Sequence, residues 1–574
     1  MISIKKILVM CLFGATAHAV ASPGSAVLTP EQTREVYRIP VEIAPGPFTA
    51  DWKSFTPDKL KSEPDWWRDA KIGVWFHWGP QNMGRMDGWY AGRLYMQGWN
   101  GYNSHLKRYG HPSEFGYMDV LNAWKAPEFD PKKLMDLYAD CGARFILVIG
   151  SHHDNFDLWN SKYQPWNSVN VGPKRDVVGE MFKEARKHNF HVGMSFHADY
   201  SLWWYQAAFG SDKTGPKAGV PYDAAARTKE NGKGQWWAGL DPKDLYGIDL
   251  KEERNLGNGL TQVNQLFTHA DTRAFAEWYC LKWFNRLKQF VDDYDPDFIY
   301  TDGVEPFTGQ RTAVGVISDA AVKVVAHYYN KRYARNNGTV DCMALIKGGP
   351  RVPGVAAVFE GGYDGPIMRT PWVWENCCGD WFYNDNTYYA ARPMVMQMIE
   401  AICRDGNFNY SISPTQDGSL EPGAEKMWRD FGKFVKINGE AIYGSRAWKV
   451  LGEGRMQADP KRPGAKPSLA LFPQEQRISQ DIDTYQMTTE DIRFTEGKDG
   501  SVYAFVLNVP KAGETITIKS MGTDAKLFDK PVVAVSLLGV NDKLQWKQLP
   551  DGLVITCPKE LSLQYAAVFK VTGR

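Results

Sequence analysis

The sequence predicts an α/β protein in which a (β/α)8-like, TIM-type barrel is followed by a C-terminal antiparallel β-sandwich. Two observations lead to this prediction. From Lys71 to about Pro414, short apolar runs recur and most are separated by helical patterns, which is typical of repeated βα units. After Gly444, short alternating runs separated by Gly, Pro, Asp and Lys turns replace them, as expected for a sandwich of antiparallel strands.

Eight apolar runs predict the strands of the barrel. They are Ile72–His77, Phe145–His152, His191–His197, Phe298–Asp302, Val340–Ile346, Val355–Glu360, Trp372–Glu375 and Phe408–Ser413. In a barrel of this type the functional side chains gather at the carboxyl ends of the strands. The last residues of each run are therefore the first candidates for a site.

Helical patterns between these runs predict the outer layer of the barrel. Three are visible at Asp130–Asp140, Asp176–His188 and Thr272–Asp292, and the last carries a stripe of aromatic and apolar residues. The pairs Asp130-Pro131 and Asp295-Pro296 mark element boundaries, because a residue before proline is disfavoured in the α region.

The chain is expected to divide into a leader at 1–21, a barrel at 22–445 and a sandwich at 446–574. The sandwich strands are predicted at Ser501–Val506, Thr515–Lys519, Val532–Leu538, Gly552–Thr556 and Tyr565–Val571. A long polar segment at about 206–266 follows the third barrel strand. It is interpreted as a lid or subsite wall at the catalytic face, with a disordered surface insertion as the alternative.

The charge balance excludes several classes of partner. The 574 residues carry 67 Lys+Arg and 66 Asp+Glu, a formal charge of +1, so no basic surface for nucleic acid or anionic membrane is expected. No later apolar run reaches the roughly 20 residues that a membrane span requires.

Aromatic residues make up 13% of the chain, and they can serve as core or as flat platforms for a ligand.

The first residues have the pattern of a secretory signal peptide. Two lysines precede an apolar run from Ile7 to Ala15, and small residues at Ala17–Ala21 come before Ser22. An exported protein, periplasmic or secreted, is therefore predicted. Seven cysteines remain once the predicted signal peptide is removed. They lack zinc-ligand spacing and are expected to be buried small hydrophobes.

Four consecutive strands end in His or Asp, which predicts one polar cluster at the rim. The endings read Phe-His77-Trp-Gly, Ser-His152-His153-Asp, Ser-Phe-His197 and Tyr-Thr-Asp302-Gly. Two His with an Asp could bind a metal. His152 and His153 are adjacent, however, and on a strand they would point to opposite faces, which favours recognition of hydroxyl groups instead.

Several longer segments together resemble one family, the family 29 glycoside hydrolases, which are retaining α-L-fucosidases. The similarity extends from about Trp66 to Trp448. The segments that carry it are WWRDAKIGVWFHWGP, APEFDPKKLMDLYADCGARFILVIGSHHDNFDLWNSKY, WNSVNVGPKRDVVGE, YDPDFIYTDG, SISPTQDGSLEPG and NGEAIYGSRAW. The resemblance implies an exo-acting enzyme that hydrolyses terminal α-L-fucosyl residues of a glycan without metal or cofactor.

The resemblance also implies two catalytic carboxylates. The nucleophile is Asp302, in the pattern Asp-Pro-Asp, apolar residues and Asp-Gly. The general acid/base is Glu360, fifteen residues before the Glu of Trp374-Glu375, with Glu375, Asp364 and Glu305 as alternatives. The acid must hold a proton near neutral pH, so Glu360 is expected in a less polar setting than Asp302.

The remaining site residues are expected to hold the sugar. By resemblance, His77, His152 and His153 bind hydroxyl groups. Aromatic side chains could pack against the methyl group of a 6-deoxy sugar, and the candidates are Trp78, Trp89 and Phe196. Further expected substrate contacts come from His197 and Lys347.

This chain departs from the family pattern at several of these positions. Gly88 stands where relatives commonly have a sugar-binding Glu, Lys347 occupies the region of a family Arg, and His197 replaces a Tyr or Ser. Asp87 could supply the missing acceptor. Otherwise the space at Gly88 suggests a substituted fucose or L-galactose.

Two other classes of function remain open at this stage. One is a carbohydrate-binding relative that has lost turnover. The other is a metal-dependent hydrolase that uses His152, His153 and Asp154.

Overall fold

The computed structural model describes residues 26–199, 201–249, 270–303, 318–363, 365–385, 390–454, 487–528 and 530–573. The predicted signal peptide, the end of the 206–266 segment, Glu305 and Asp364 lie outside these residues. Within the described parts of the chain, no helix has the length and apolar character needed to cross a membrane. The seven cysteines there are all buried and none forms a disulfide.

Eight parallel strands close into a barrel in chain order, which confirms the predicted fold class. Strand β8 pairs with β1, with Ser411 beside Trp75, to complete the ring. The strands are β1 Ile72–Phe76, β2 Phe145–Ser151, β3 His191–Phe196, β4 Phe298–Thr301, β5 Met343–Ile346, β6 Val355–Glu360, β7 Trp372–Cys377 and β8 Asn407–Ser411. Each lies within three residues of its prediction at either end.

Aromatic rings fill the amino-terminal end of the barrel interior. Phe145 and Phe298 meet there with ring centroids 5.7 Å apart, and Trp67 packs on both. Gly73 and Gly193 leave room for these rings, because a Cβ there would lie 2.0 Å from Phe145 and 2.4 Å from Phe298. This end is closed, so a ligand has access from the carboxyl rim.

Helices surround the barrel and form the excursions between its strands. The α-helices of the described residues are α1 Pro30–Arg34, α2 Asp65–Ala70, α3 Tyr90–Arg93, α4 Asn100–Tyr109, α5 Tyr117–Ala123, α6 Pro131–Asp140, α7 Val177–Lys187, α8 Ser201–Trp204, α9 Asp223–Ala226, α10 Pro242–Tyr246, α11 Ala270–Tyr294, α12 Ala320–Arg335, α13 Ala391–Cys403 and α14 Pro422–Ile442. The side chains of Asp130 and Asp176 cap two of these helices, because each accepts a backbone N–H group at the start of α6 or α7.

Two excursions pack against each other above the rim. One carries α3 to α5 between β1 and β2, and the other carries α8 to α10 between β3 and β4. Buried carboxylates join them: Asp212 accepts from Tyr102 at 2.6 Å, and Asp223 accepts from Tyr95 at 2.7 Å and from Tyr246 at 2.6 Å. The described part of the 206–266 segment is therefore an ordered wall.

The last strands form two antiparallel sheets, as predicted. One sheet has the order β13-β16-β11-β10-β9 and the other β12-β15-β14. The strands are β9 Arg446–Glu453, β10 Ile492–Glu496, β11 Val502–Val506, β12 Thr515–Ile518, β13 Val532–Leu537, β14 Gln545–Leu549, β15 Gly552–Thr556 and β16 Ala567–Gly573. Arg493 of β10 donates to Glu400 of α13 at 2.9 Å, so a fully buried ion pair ties this unit to the barrel.

A second buried ion pair supports the carboxyl end of β2. The Arg286 guanidinium of α11 donates to both carboxylate oxygens of Asp157, and both side chains are fully buried. It also donates to Asn155 at 2.8 Å and to Ser151 at 3.0 Å. Because Ser151 and Asn155 bracket the two adjacent histidines, this network holds the segment that carries them.

Arg286→Met should lower the free energy of unfolding by about 3–5 kcal/mol, because it leaves the buried Asp157 carboxylate unpaired. Chemical denaturation followed by tryptophan fluorescence measures the change. Lys426→Met is the control: its pair with Asp430 is solvent-exposed, and its loss should cost no more than about 1 kcal/mol. Equal losses in the two variants would show that the Arg286 network does not stabilise the barrel.

Candidate active site

The rim of the barrel brings most of the predicted site residues together. His77 follows β1, His152 and His153 follow β2, His197 follows β3, and Asp302 follows β4. All five side chains are buried, with at most 7% of each residue exposed. They face the same interior because the carboxyl ends of parallel strands meet at one edge.

The ammonium group of Lys347, just after β5, joins two carboxylates. Nζ donates to Oδ1 of Asp302 at 3.0 Å and to Oε2 of Glu360 at 2.5 Å. Two oxygens that contact one nitrogen at these distances are at most 5.5 Å apart, the total of the two contacts. Asp302 and Glu360 therefore form a close pair across β4, β5 and β6.

Asp302 is held in its ionised form. Burial acts to raise the pKa of its carboxyl, but Lys347, His197 and His153 outweigh burial and hold that pKa well below its usual range. The Oδ2 atom lies 3.8 Å from Nδ1 of His197 and 4.0 Å from Nε2 of His153. The carboxylate is thus charged and oriented before any ligand arrives.

The environment of Glu360 differs from the one expected. Its side chain is 42% exposed, and besides the Lys347 contact its Oε1 accepts from Nε1 of Trp381 at 3.1 Å. The expectation of a less polar setting is wrong for the described state, because Glu360 is the last residue of β6 and reaches out to solvent at the rim.

Glu375 occupies the apolar setting instead. It is 1% exposed, and burial raises the pKa of its carboxyl well above its usual range. The hydroxyl of Tyr300 lies 3.4 Å from Oε2 of Glu375 and 3.4 Å from Oδ1 of Asp302. Among the described residues, Oε1 of Glu375 has no hydrogen-bond partner. A protonated Glu375 therefore lies behind Asp302, separated from it by Tyr300.

The two adjacent histidines present different hydrogen-bonding groups. Gln81 donates to Nδ1 of His152 at 2.8 Å, so a neutral His152 carries its proton on Nε2. Nδ1 of His153 donates to the backbone oxygen of His197 at 2.9 Å, so Nε2 of a neutral His153 is an acceptor. Burial lowers the pKa of His153 to about 3 and holds that of His152 well below its usual range, so both rings are neutral near pH 7.

The prediction that His152 and His153 point to opposite faces is wrong. Strand β2 ends at Ser151, so the pair lies in a turn and the rings are 4.2 Å apart. With His197 they form a group whose ligand atoms all lie within 4.8 Å of one another. Asp154 is not in this group, because its carboxylate accepts from Tyr117 at 2.7 Å inside the β1–β2 wall. The three imidazoles are therefore the set that could bind a metal.

Two of the predicted aromatic contacts do not face the site. Phe196 is fully buried on the outer side of the barrel wall, where Arg286 lies 4.7 Å from its ring. It points outward because alternate residues of β3 point in opposite directions and Ser195 points inward. Trp78 is fully buried against Phe129 and donates to the backbone oxygen of Thr415. Both side chains belong to the core.

Trp89 does lie near the site. It is partly exposed, and its ring is 5.2 Å from that of Trp204, which in turn is 4.4 Å from His153. Most of the other aromatic residues belong to the hydrophobic core, since most tryptophans of the strand segments are fully buried.

Three aromatic residues of the site were missed from the sequence. Trp75 forms its floor, 4.2 Å from His77 and 4.9 Å from Tyr300. Trp381 and Phe382, in the loop after β7, pack on His77 at 4.9 Å and 5.6 Å. Trp381 and Phe382 follow the end of a predicted strand, and that position was the signal in the sequence that could have identified them.

The absence of a side chain at Gly88 does not create space. A Cβ there would lie 2.8 Å from Cδ2 of Phe382, whose ring packs edge-on against His152. Asp87 does not supply an acceptor, because its carboxylate accepts from the backbone of Trp89 and from Arg93. An apolar ring thus forms this side of the site.

A closed parallel barrel with two adjacent carboxylates and neutral imidazoles at its rim has the architecture of a glycoside hydrolase. A family model described as "Alpha-L-fucosidase" matches residues 37–440, and a second, described as "Alpha-L-fucosidase C-terminal domain", matches residues 485–572. The chain belongs to the alpha-L-fucosidase family.

Curated relatives match along nearly the whole chain. The tissue alpha-L-fucosidase of Mus musculus is 24% identical over 561 residues, which covers 93% of this chain and 96% of that protein. The plasma alpha-L-fucosidase of Homo sapiens is 23% identical over 529 residues, 89% of either protein.

Solved structures share the fold. The alpha-fucosidase of Thermotoga maritima, in complex with a mechanism-based inhibitor, superimposes with a TM-score of 0.64 at 20% identity and covers 91% of this chain and 99% of that one. Isoenzyme 1 of the alpha-L-fucosidase from Paenibacillus thiaminolyticus gives 0.56 at 14% identity, covering 89% and 98%.

Gly88→Ala should lower the free energy of unfolding by about 1–3 kcal/mol, because the added methyl group overlaps Phe382. Combined with Phe382→Leu, the same change should cost less than it does alone, and a double-mutant cycle measures this coupling. Gly439→Ala in α14 is the control: its Cβ would meet Tyr443 at an ordinary 3.5 Å, so it should not destabilise. Strictly additive effects at positions 88 and 382 would contradict the described packing.

Lys347→Met should move the acid limb of the kcat/KM profile to higher pH. In the wild type Lys347 opposes the effect of burial on Asp302, so without it the pKa of Asp302 rises and the ionised form is lost earlier as pH falls. We also expect kcat/KM at its optimum to fall by about 10²–10³-fold. Lys347→Arg keeps the charge and should keep the limb near its original position. An unmoved limb in Lys347→Met would show that Lys347 does not control Asp302.

Proposed function

We propose that this chain is an exported, retaining exo-α-L-fucosidase that hydrolyses terminal α-L-fucosyl residues of glycans. The observation that carries the proposal is the pair of carboxylates that share Lys347. The two oxygens that contact Lys347 are at most 5.5 Å apart, which is compatible with the separation of about 5 to 5.5 Å in retaining glycosidases and shorter than the roughly 6.5–9.5 Å of inverting ones.

Asp302 is the proposed nucleophile. Its ionised carboxylate attacks the anomeric carbon, the bond to the leaving oxygen breaks, and Glu360 gives that oxygen a proton. The product of this step is a glycosyl ester on Asp302. In the second step Glu360 removes a proton from water, the resulting oxygen attacks the anomeric carbon, and Asp302 leaves as a carboxylate.

Lys347 has two proposed roles in this cycle. It keeps Asp302 ionised, and in the unliganded site it holds Glu360 beside the position of the scissile bond. To donate a proton, Glu360 must exchange its contact with Lys347 for one with the glycosidic oxygen. A bound glycan would also cover the exposed side of Glu360.

The histidines are proposed to bind sugar hydroxyl groups. A hydroxyl group both donates and accepts, and His152 offers an N–H while His153 offers an acceptor nitrogen. His77 and His197 extend this polar surface beside Asp302, and Trp89 together with Trp381 provides flat apolar faces for the ring and its methyl group.

Glu375 is the alternative acid. Its raised pKa suits a proton donor, but Tyr300 and Asp302 lie on the side of Glu375 that faces the site. Glu360 is 42% exposed and shares Lys347 with Asp302, so we assign the acid/base role to Glu360. Export is proposed from the predicted signal peptide, and the similarity to a plasma alpha-L-fucosidase supports it.

A metal-dependent hydrolase is the second candidate, favoured by the close group of His152, His153 and His197. The ionised state of Asp302 argues against a carbohydrate-binding relative without turnover, because a binding protein does not require an ionised, buried carboxylate at that position.

Asp302→Gly and Glu360→Ala should each lower kcat/KM for an aryl α-L-fucoside by at least about 10³-fold. Added azide should rescue both variants. At Asp302→Gly azide replaces the nucleophile and yields the inverted β-fucosyl azide, whereas at Glu360→Ala it attacks the glycosyl ester and yields the retained α-fucosyl azide. NMR of the azide products distinguishes the two outcomes.

Glu375→Gln is the matched control for the acid assignment, since it removes the same type of group from a neighbouring strand. Retained azide rescue at Glu375→Gln and none at Glu360→Ala would transfer the acid/base role to Glu375. Loss of wild-type activity in EDTA, restored by a divalent metal, would support the metal-dependent hydrolase instead.

A further inference from the structure

A row of aromatic rings leads from the site to the surface. His153 lies 4.0 Å from Asp302 and 4.4 Å from the ring of Trp204, and Trp204 lies 5.2 Å from Trp89. The row continues through the guanidinium of Arg93, which is 4.6 Å from the ring of Trp89 and 5.8 Å from that of Trp99. Each member is within van der Waals or cation–π reach of the next.

The outer members of this row form a platform. Trp99 is 46% exposed, Trp89 is partly exposed, and 26% of the Arg93 side chain is accessible. Arg93 is fixed between the two indoles by its ion pair with Asp87 at 2.5 Å. Exposing a large indole forgoes the free energy of its burial, and a flat, rigid ring of this kind suits the apolar face of a pyranose.

The two excursions above the rim support this platform. Gln97, two residues before Trp99, donates to the backbone oxygen of Thr214 at 2.9 Å and accepts from the backbone of Lys213 at 3.0 Å. The platform is therefore held between the β1–β2 excursion and the β3–β4 wall.

The order of the strands decides which part of a substrate can reach the platform. Trp89 and Trp99 lie between β1 and β2, and Glu360 ends β6. In a closed barrel of eight strands in chain order, β2 and β6 are four strands apart in both directions, on opposite sides. We take the leaving group to depart on the β6 side, beside Glu360, which assigns a group over Trp99 to another position of the fucosyl ring.

We propose that Trp89, Arg93 and Trp99 form a binding site for a second pyranose residue carried by the fucosyl residue itself, at one of its ring hydroxyls. In addition to terminal fucosyl residues, the enzyme would then accept a fucosyl residue that carries a further sugar and release the two together. This assignment depends on the proposed function, because it uses Glu360 to locate the leaving group.

The test compares Trp99→Ala with the wild type on three kinds of substrate. One is an unsubstituted aryl α-L-fucoside. The second is a set of aryl α-L-fucosides that carry a second α-L-fucosyl residue at O2, O3 or O4. The third is 2′-fucosyllactose, which is extended on the leaving-group side. Trp278→Ala is the matched control, since Trp278 is 40% exposed and lies under a similar cation, Lys282, on α11.

We expect the wild type to release the aryl group from at least one substituted fucoside. Trp99→Ala should lower kcat/KM for it by about tenfold, the loss typical of one well-packed aromatic contact. Activity on the unsubstituted fucoside should stay within about twofold, which also shows that the variant folds. Trp99→Phe, which keeps a flat ring, should retain most of the activity on the substituted substrate.

Three results would overturn the assignment while leaving the proposed function intact. The wild type could cleave the unsubstituted fucoside and none of the substituted ones. Trp99→Ala could leave the substituted substrates unaffected, or it could impair 2′-fucosyllactose instead, which would place the leaving group on the platform. A wild type that cleaves no fucoside of any kind would contradict the proposed function itself.

Discussion

The hydrogen bonds between β8 and β1 close an eight-stranded parallel sheet, and every feature of the site depends on that closure. Closure places the ends of β1 through β6 around one opening, so that side chains separated by hundreds of residues in sequence can share a proton, a charge or a ligand. Phe145 and Phe298 fill the opposite end of the barrel. The interior therefore has a closed floor and a reactive rim, and the rim is where specificity and chemistry must both be provided.

Charge is the second requirement that this rim has to meet. Asp302 is buried, and without compensation burial would favour its neutral form. The ammonium group of Lys347 supplies the compensation together with His197 and His153. Lys347 also contacts Glu360, so the two carboxylates take their spacing from a common cation. Behind them the protonated Glu375 adds no further negative charge. The pocket thus contains one charged carboxylate, Asp302, and one neutral carboxyl group, Glu375, and the hydroxyl group of Tyr300 lies 3.4 Å from each.

The histidine segment illustrates how distant packing determines the local chemistry. Its position depends on Arg286, which comes from a helix more than 130 residues further along the chain and bonds to residues on either side of the His pair. Two neutral imidazoles of opposite hydrogen-bonding character result. The excursions that frame them also orient Trp204, Trp89 and Trp99, so one piece of structure holds both the proposed sugar-binding groups and the outward-facing platform.

The sequence by itself determined the strands, the main helices, the order of the two units and the position of the candidate residues at strand ends. These properties depend on local patterns, since apolar periodicity and turn residues act within a few positions. Tertiary structure decided which side chains meet. Phe196 turned outward because of the alternation along β3, Phe382 came to fill the place beside Gly88 from nearly 300 residues away, and Glu360 lay exposed while Glu375 was buried. No local pattern contains this information, because burial and contact depend on which distant segments the closed barrel brings to the same point.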